Sequence, residues 1–238
     1  MQMKDVSAII TGGASGLGAA TAEAFVAAGA TVTIFDRDRA GADFANRIGA
    51  AFAQVDVTDE TSVTAGLDQA GAINVAINCA GIATAEKTLG RDGPHRQDSF
   101  TRTIDINLNG TFNVARLAAA RIGPGGVIIN TASVAAFDGQ KGQAAYAASK
   151  AGIAGLSLPM ARDLARNGIR VMAIAPGIFR TPMLESLGQE VMDGLAQDVT
   201  YPARLGDPAE FAALARFIVE CDYLNGTTIR LDGALRMP

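Results

Sequence analysis

Tyr146 and Lys150 stand four residues apart in Tyr146-Ala147-Ala148-Ser149-Lys150, with Ser133 thirteen residues upstream at the end of an apolar run. On a helix, positions i and i+4 project from one face. A phenol titrates near about 10, so holding part of it as phenolate at neutral pH requires about 4 kcal/mol, and a neighbouring ammonium has the right sign to supply it. Tyr and Lys at this spacing also occur on many solvated helix faces. The chemistry therefore depends on what the chain places beside them.

Val6 to Ile10 reads as a short buried strand, and an Ala-rich helical pattern runs from Ala19 to Ala28, closed by Gly29. Between them lies Thr11-Gly12-Gly13-Ala14-Ser15-Gly16-Leu17-Gly18. Gly12, Gly16 and Gly18 let the backbone turn tightly, approach a pyrophosphate and aim helix N–H groups at its charge; Ser15 and Leu17 share that turn. The spacing is G-x-x-x-G-x-G, and an ordinary tight turn is the plain alternative. Strand, glycines and helix nevertheless follow in the order that dinucleotide binding needs. The next strand, Thr31 to Phe35, ends in Asp36. A carboxylate there accepts from both adenosine ribose hydroxyls and repels a 2′-phosphate, which predicts NAD rather than NADP. Arg37 beside it is either a solvated charge or a partner for that phosphate.

Further strands read from Ala51 to Val55, ending at Asp56-Val57, and from Asn74 to Ile77, ending at Asn78-Cys79-Ala80-Gly81. Small and polar residues thus recur past the carboxyl ends of strands, the edge where open parallel sheets bind ligands. Cys79 reads as a small packed residue. The single histidine, His95, reads as a loop residue, so no metal site is expected. A helical pattern from Phe100 to Ala120 carries Asn107 in its interior, where an Asn is either solvated or replaces backbone bonding and holds a water. Gly126 to Thr131 is a strand delivering Ser133, and the helix bearing Tyr146 and Lys150 runs to about Asn167-Gly168. Ile169 to Ala175 is a strand stopped by Pro176-Gly177. Short amphipathic pieces from Thr181 onward predict a substrate lid over about 181–205. A helix from Pro208 to Glu220 and a strand from Thr227 to Leu231 complete an α/β fold: one Rossmann-type domain over 1–238 with a doubly wound parallel seven-stranded sheet.

Composition agrees. The chain has 238 residues, 49% hydrophobic and 18% charged, which suits one well-packed globule with internal or intersubunit contacts. A net charge of −4 without a Lys/Arg cluster gives no footprint for nucleic acid or an anionic membrane. No apolar run approaches the length that spans a bilayer. Two cysteines without metal-ligand spacing or a secretory segment predict a reducing, cytoplasmic setting.

Taken together, Thr11-Gly12-x-x-x-Gly16-x-Gly18, Asn78-x-Ala80-Gly81, Asn107, Ser133, Tyr146-x-x-x-Lys150 and Pro176-Gly177 resemble the short-chain dehydrogenase/reductases over essentially the whole chain. The resemblance implies that Tyr146 is the acid/base, that Lys150 lowers its pKa and holds the nicotinamide ribose, and that Ser133 steadies the substrate oxygen. It implies that Asn107 holds the water of a proton relay. Asp56 and Val57 would contact adenine, Asn78, Ala80 and Gly81 would line the cofactor cleft, and Pro176 and Gly177, with Ile178 and Thr181, would lie at the nicotinamide carboxamide. It also implies a homotetramer, with the helices of Asn107 and Tyr146 between subunits. Small residues near 115–120 and 147–155 suit such contacts or an internal core equally.

Within the family, Asn130 to Phe137, Gly142 to Tyr146, Ala161 to Leu164, Arg204 to Glu210 and Ile229 to Ala234 are similar to the subgroup acting on 3-hydroxyacyl-CoA, also known for hydroxysteroid activity. That likeness makes Gln140 a substrate contact; by itself it reads equally as a polar loop residue. The chain is shorter around Leu67 to Ile73 and Ile122 to Gly125, and no basic cluster marks a CoA phosphate site. Three functions follow: oxidation of a 3-hydroxyacyl-CoA with NAD, the same chemistry on another ketone or hydroxysteroid, or a non-catalytic NAD-binding redox sensor.

Overall fold

The computed structural model describes residues 1–185 and 188–237. Residues 186 and 187 of the expected lid, and residue 238 of the expected domain, lie outside the described residues.

Seven strands form one parallel sheet: β1 (Ser7–Thr11), β2 (Thr31–Asp36), β3 (Ala51–Gln54), β4 (Val75–Asn78), β5 (Val127–Thr131), β6 (Arg170–Pro176) and β7 (Thr228–Leu231). Their order is β3-β2-β1-β4-β5-β6-β7. The chain winds outward from β1 to β3, then returns beside β1 and winds the other way. A crevice therefore opens past the carboxyl ends of β1 and β4, the switch point of a doubly wound sheet.

The sheet is buried on both faces, which is why its strands read as unbroken apolar runs instead of alternating ones. Ile10, Ile34, Ile77, Ile129 and Ile174 pack under Phe25 of α1 (Gly16–Ala27) and Phe211 of α9 (Pro208–Glu220). Ile9, Phe35, Ala76, Ile128 and Val171 face Leu67 of α3 (Glu60–Ala70), Val114 and Ala118 of α5 (Gly110–Ala119) and Met160 of α6 (Ala144–Asp163). A short α2 (Gly41–Ile48) links β2 to β3.

Two expected helices are reshaped. The pattern from Phe100 to Ala120 is two α-helices, α4 (Gln97–Ile104) and α5, joined by a π-turn at Asp105–Asn109 that contains Asn107. Its cause is local: the Asn107 amide bonds outside its own helix, and the Asn107 carbonyl accepts from the Thr111 hydroxyl at 2.6 Å. Helix α6 stops at Asp163, and a 3₁₀ turn at Ala165–Asn167 carries the chain to Gly168, whose φ of 69° is one an L side chain rarely adopts.

An unexpected two-stranded hairpin, Leu89–Gly90 against Gly93–Pro94, precedes α4 and includes the surroundings of His95. Beyond β6, α7 (Pro182–Glu185) and α8 (Gln189–Gln197) occupy the described part of the 181–205 region. That region is tied down at its far end, where Tyr201 N donates to Gly233 O at 3.1 Å and Thr200 Oγ1 to Ala234 O at 3.2 Å.

Candidate active site

The Gly-rich turn closes tightly against the end of β4. Thr11, Asn78 and Asn130 lie side by side in register on β1, β4 and β5. The Thr11 hydroxyl accepts from the N–H groups of Cys79 and Ala80, each at 3.1 Å. Gly12 has φ of 61°, and a side chain there would meet the Ala80 backbone at 2.9 Å. These contacts hold the turn open toward the crevice. Helix α1 then begins after Ser15 without a side-chain cap and without an acidic residue in its first turn. Its leading N–H groups and positive dipole end are left for an external anion, which is the fit a pyrophosphate needs. Thr181 stands across from Gly16, within 3.5 Å of where a side chain would be.

Asp36 is fixed at the end of β2: Oδ2 accepts from Ala14 N and Oδ1 from Asp38 N, each at 3.1 Å. Each oxygen keeps lone pairs for another donor. Asp56, past β3, is held below the usual carboxylate range by hydrogen bonds from the Thr58 hydroxyl and N–H, with Arg37 adding positive charge. Val57 is buried and packs on Gly110, and its carbonyl accepts from Asn113 Nδ2 at 3.0 Å. Arg37, Asp56, Thr58, Asn109, Phe112 and Arg116 line part of an open groove of about 910 Å³ beside α4 and α5; Tyr146 and Lys150 are not among its lining residues.

Around Tyr146 the polar groups converge. Ser133 follows β5 and caps a 3₁₀ turn, Val134–Ala136, by accepting from Ala135 N at 3.1 Å, which leaves its own proton free to donate. Lys150 is buried, with Nζ donating to the Thr131 carbonyl at 2.8 Å and lying 5.7 Å from the centre of the Tyr146 ring. An ammonium has three donors, so two remain. Burial brings Lys150 down to about 8. Burial also pushes the Tyr146 phenol up, outweighing the Ser133 hydroxyl that pulls it down. The lowering expected from Lys150 is therefore not what the polypeptide's own groups produce.

Asn107 is fully buried, and its Oδ1 accepts from Ile82 N at 2.8 Å while Nδ2 donates to Ile82 O and Ser149 Oγ, both at 3.0 Å. Both amide hydrogens are spent, so of the two expected alternatives it replaces backbone bonding and is not solvated. Gly81 keeps the space beside it: a side chain there would sit 3.1 Å from Asn107 Oδ1 and 3.7 Å from Lys150 Nζ.

Other expected residues have structural partners of their own. Asn78 is enclosed, donating to Asn130 Oδ1 at 2.9 Å, so it braces β4 against β5 rather than lining the cleft; among the described residues Asn78 Oδ1 and Asn130 Nδ2 have no partner. Leu17 packs against the core. Gln140 bonds through its backbone to Gln143 Oε1 at 2.9 Å. Pro176 ends β6, Gly177 N bonds Leu231 O at 2.9 Å, and Ile178 O accepts from Gly206 N at 2.9 Å. Cys79 is unpaired, and burial raises its thiol to about 11, as befits a packed residue. His95 Nδ1 lies 2.8 Å from Arg96 O in its loop. Among the described residues no group of acidic, His or Cys side chains could hold a metal ion, and no helix is long and apolar enough to cross a membrane. Sequence reasoning missed Ser149 and Thr131; a polar Ser149 within an alanine-rich turn was the available signal.

The family model described as short chain dehydrogenase matches residues 6–191. The chain belongs to the short-chain dehydrogenase family. It is therefore an oxidoreductase, in a family that binds NAD(P). Among curated short-chain dehydrogenases it is 54% identical to the 3-hydroxyacyl-CoA dehydrogenase type-2 of Bos taurus and 53% identical to that of Homo sapiens, covering 99% of this chain and 97% of each relative. The crystal structure of 3-hydroxyacyl-CoA dehydrogenase type-2 from Mycobacterium avium superposes with a TM-score of 0.94 at 43% identity, covering 100% of this chain and 98% of that one. These relatives bear out the resemblance to the 3-hydroxyacyl-CoA subgroup.

Proposed function

We propose that the protein is an NAD-dependent dehydrogenase interconverting 3-hydroxyacyl-CoA and 3-ketoacyl-CoA, with Tyr146 as acid/base. The observation that carries the reaction type is the convergence of Tyr146, Ser133 and buried Lys150 beside an uncapped α1 N-terminus. The names of the relatives support the acyl-CoA substrate. Gly12, Ser15, Gly16 and Gly18 would hold the pyrophosphate, with Leu17 supporting the turn from below. Asp36 would hold the adenosine ribose, and Asp56 and Val57 would flank adenine. Ala80, Gly81, Tyr146 and Lys150 would face the nicotinamide ribose, and Pro176 through Thr181 its carboxamide.

NAD, when bound, supplies a hydride acceptor, and its reduced form a hydride donor. The chain's part is the proton. In the reductive direction Tyr146, kept neutral by burial, gives its proton to the substrate oxygen while the Ser133 hydroxyl donates to the same atom. In the oxidative direction the Tyr146 phenolate takes the alcohol proton, a state favoured by any added positive charge nearby. Asn107 keeps only its Oδ1 lone pair and its main-chain carbonyl for a relay water. Gln140 would contact the substrate carbonyl region, and the segment over 181–205 would close above it. A homotetramer and a cytoplasmic setting belong to the same reading; the two free cysteines are consistent with a reducing compartment.

The short connections at 67–73 and 122–125 favour a second reading, a ketoreductase or hydroxysteroid dehydrogenase of other specificity. Following NADH and NADPH absorbance with acetoacetyl-CoA, a simple ketone and a ketosteroid tests all of these. The expected result is fastest turnover with acetoacetyl-CoA and NADH. Faster turnover with NADPH removes the NAD assignment, and no turnover with any carbonyl favours the redox sensor.

A further inference from the structure

Tyr146 and Asn107 sit on different elements, and one side chain joins them. Ser149 is fully buried; its Oγ accepts from Asn107 Nδ2 at 3.0 Å, and its own proton goes to the main-chain carbonyl of Tyr146 at 2.7 Å. The rest of the Asn107 amide is held by Ile82 through an N–H to Oδ1 at 2.8 Å and a carbonyl accepting from Nδ2 at 3.0 Å. Only one amide orientation satisfies all three partners. The reverse would set donor against donor at Ile82 N and leave the side-chain oxygen facing a hydroxyl whose proton is already committed.

We propose that Ser149 is a positioning residue for the reaction: its hydroxyl fixes the first turn of α6, with Tyr146 and Lys150, against the π-turn that carries Asn107. The proposal rests on the reading of Tyr146 as acid/base. Without the hydroxyl, the Tyr146 carbonyl keeps its helical donor, but one hydrogen of the Asn107 amide is buried without an acceptor. The available relief is a shift of α6 against the π-turn. A displacement of about 1 Å at a proton-transfer site costs on the order of a hundredfold in rate.

The test compares wild type, Ser149→Ala and Ser149→Thr in NADH oxidation with acetoacetyl-CoA across pH, with NADH fluorescence titration and thermal unfolding on the same samples. Ser149→Ala is expected to bind NADH within about twofold of wild type, to keep its substrate KM, to lose roughly ten- to a hundredfold in kcat, and to show an altered pH profile of kcat. Ser149→Thr, which keeps the hydroxyl, is expected to recover most of the rate. A folded Ser149→Ala with wild-type kcat and pH profile overturns the proposal whatever its melting temperature, as does a Thr variant as slow as Ala. If Ser149→Ala does not fold, Ser149→Cys, a poor donor and acceptor of similar shape, carries the same expectations. A wild type inactive with acetoacetyl-CoA but active on another ketone overturns the acyl-CoA reading alone, and the variants are then compared on that ketone. Wild type inactive with every carbonyl overturns both.

Discussion

Tyr146 and Lys150 are pulled in opposite directions by the same cause. Burial disfavours whichever form is charged, so it raises the phenol and brings the amine down to about 8. At neutral pH the polypeptide thus holds a protonated phenol, the form that reduction of a ketone uses. The lysine keeps its charge below about 8 and loses it as pH rises through that value. The rate of ketone reduction, read from NADH absorbance between pH 6 and 10, is accordingly expected to decline above about 8 as the ammonium and its proposed ribose contact are lost; a flat profile through pH 9 would contradict a role for charged Lys150. Replacing Tyr146 by Phe removes the proposed proton donor and little else. The expected loss in kcat is about 10²- to 10⁴-fold with NADH affinity nearly unchanged, measured by steady-state kinetics and fluorescence titration.

Among the elements, the segment after Ser133 is braced from a distance. Arg230 of β7 donates to Asp138 Oδ2 at 2.5 Å, to Asp232 Oδ2 at 2.6 Å and to Leu235 O at 2.9 Å, and its guanidinium lies 5.4 Å from the Phe137 ring centre. The turn at Asp232 to Ala234 in its grip also receives the far end of the 181–205 region. One side chain therefore ties the Ser133 segment to the root of the expected lid. Asp138→Asn and Arg230→Met are expected to raise substrate KM severalfold with little change in NADH binding, and to be non-additive when combined. Additive effects would mean that the two residues act separately. None of this was legible in the chain, because Asp138 and Arg230 lie 92 positions apart and carry no periodic signal. The strands were legible because burial on both faces gives continuous apolar runs, and the glycine turn because its conformation admits few other residues. The π-turn was not: Asn107 stood out by its low helix propensity, but its partner is the backbone of Ile82, which no side-chain pattern announces.

For the whole molecule, the small residues near 115–120 and 147–155 divide between two uses. Ala115 and Ala118 are fully buried in the chain's own core, against α3 and the sheet. On α6, by contrast, Ala144, Ala148, Ala151, Gly155 and Leu158 form an exposed apolar stripe at helical spacing, and a side chain on Gly155 would meet nothing within 4 Å. Such a stripe allows two helices to approach closely, which supports the assembly inferred from the family. Ala151→Arg places a charge in that stripe, about 100° around α6 from the buried Lys150. It is expected to lower the mass measured by analytical ultracentrifugation from that of a tetramer, while a wild type that sediments as a monomer would overturn the assembly itself.

The π-turn at Asp105–Asn109 also governs phase. Each residue of an α-helix advances the azimuth by about 100°, and a π-turn accommodates one residue more than the α-turn it replaces. Helices α4 and α5 are thus out of step across it; α4 turns Asp98 and Arg102 to solvent, and α5 turns Val114 and Ala118 to the sheet. Losing any single residue between 105 and 109 would bring the two into step. The sheet-packed half is the better anchored, so α4 would have to rotate by about 100°, taking Thr103 out of the interior and parting Asn107 from Ile82. The chain can thus lengthen or shorten its surface connections freely, while the residue count across those five positions is fixed by the angle at which Asn107 must arrive.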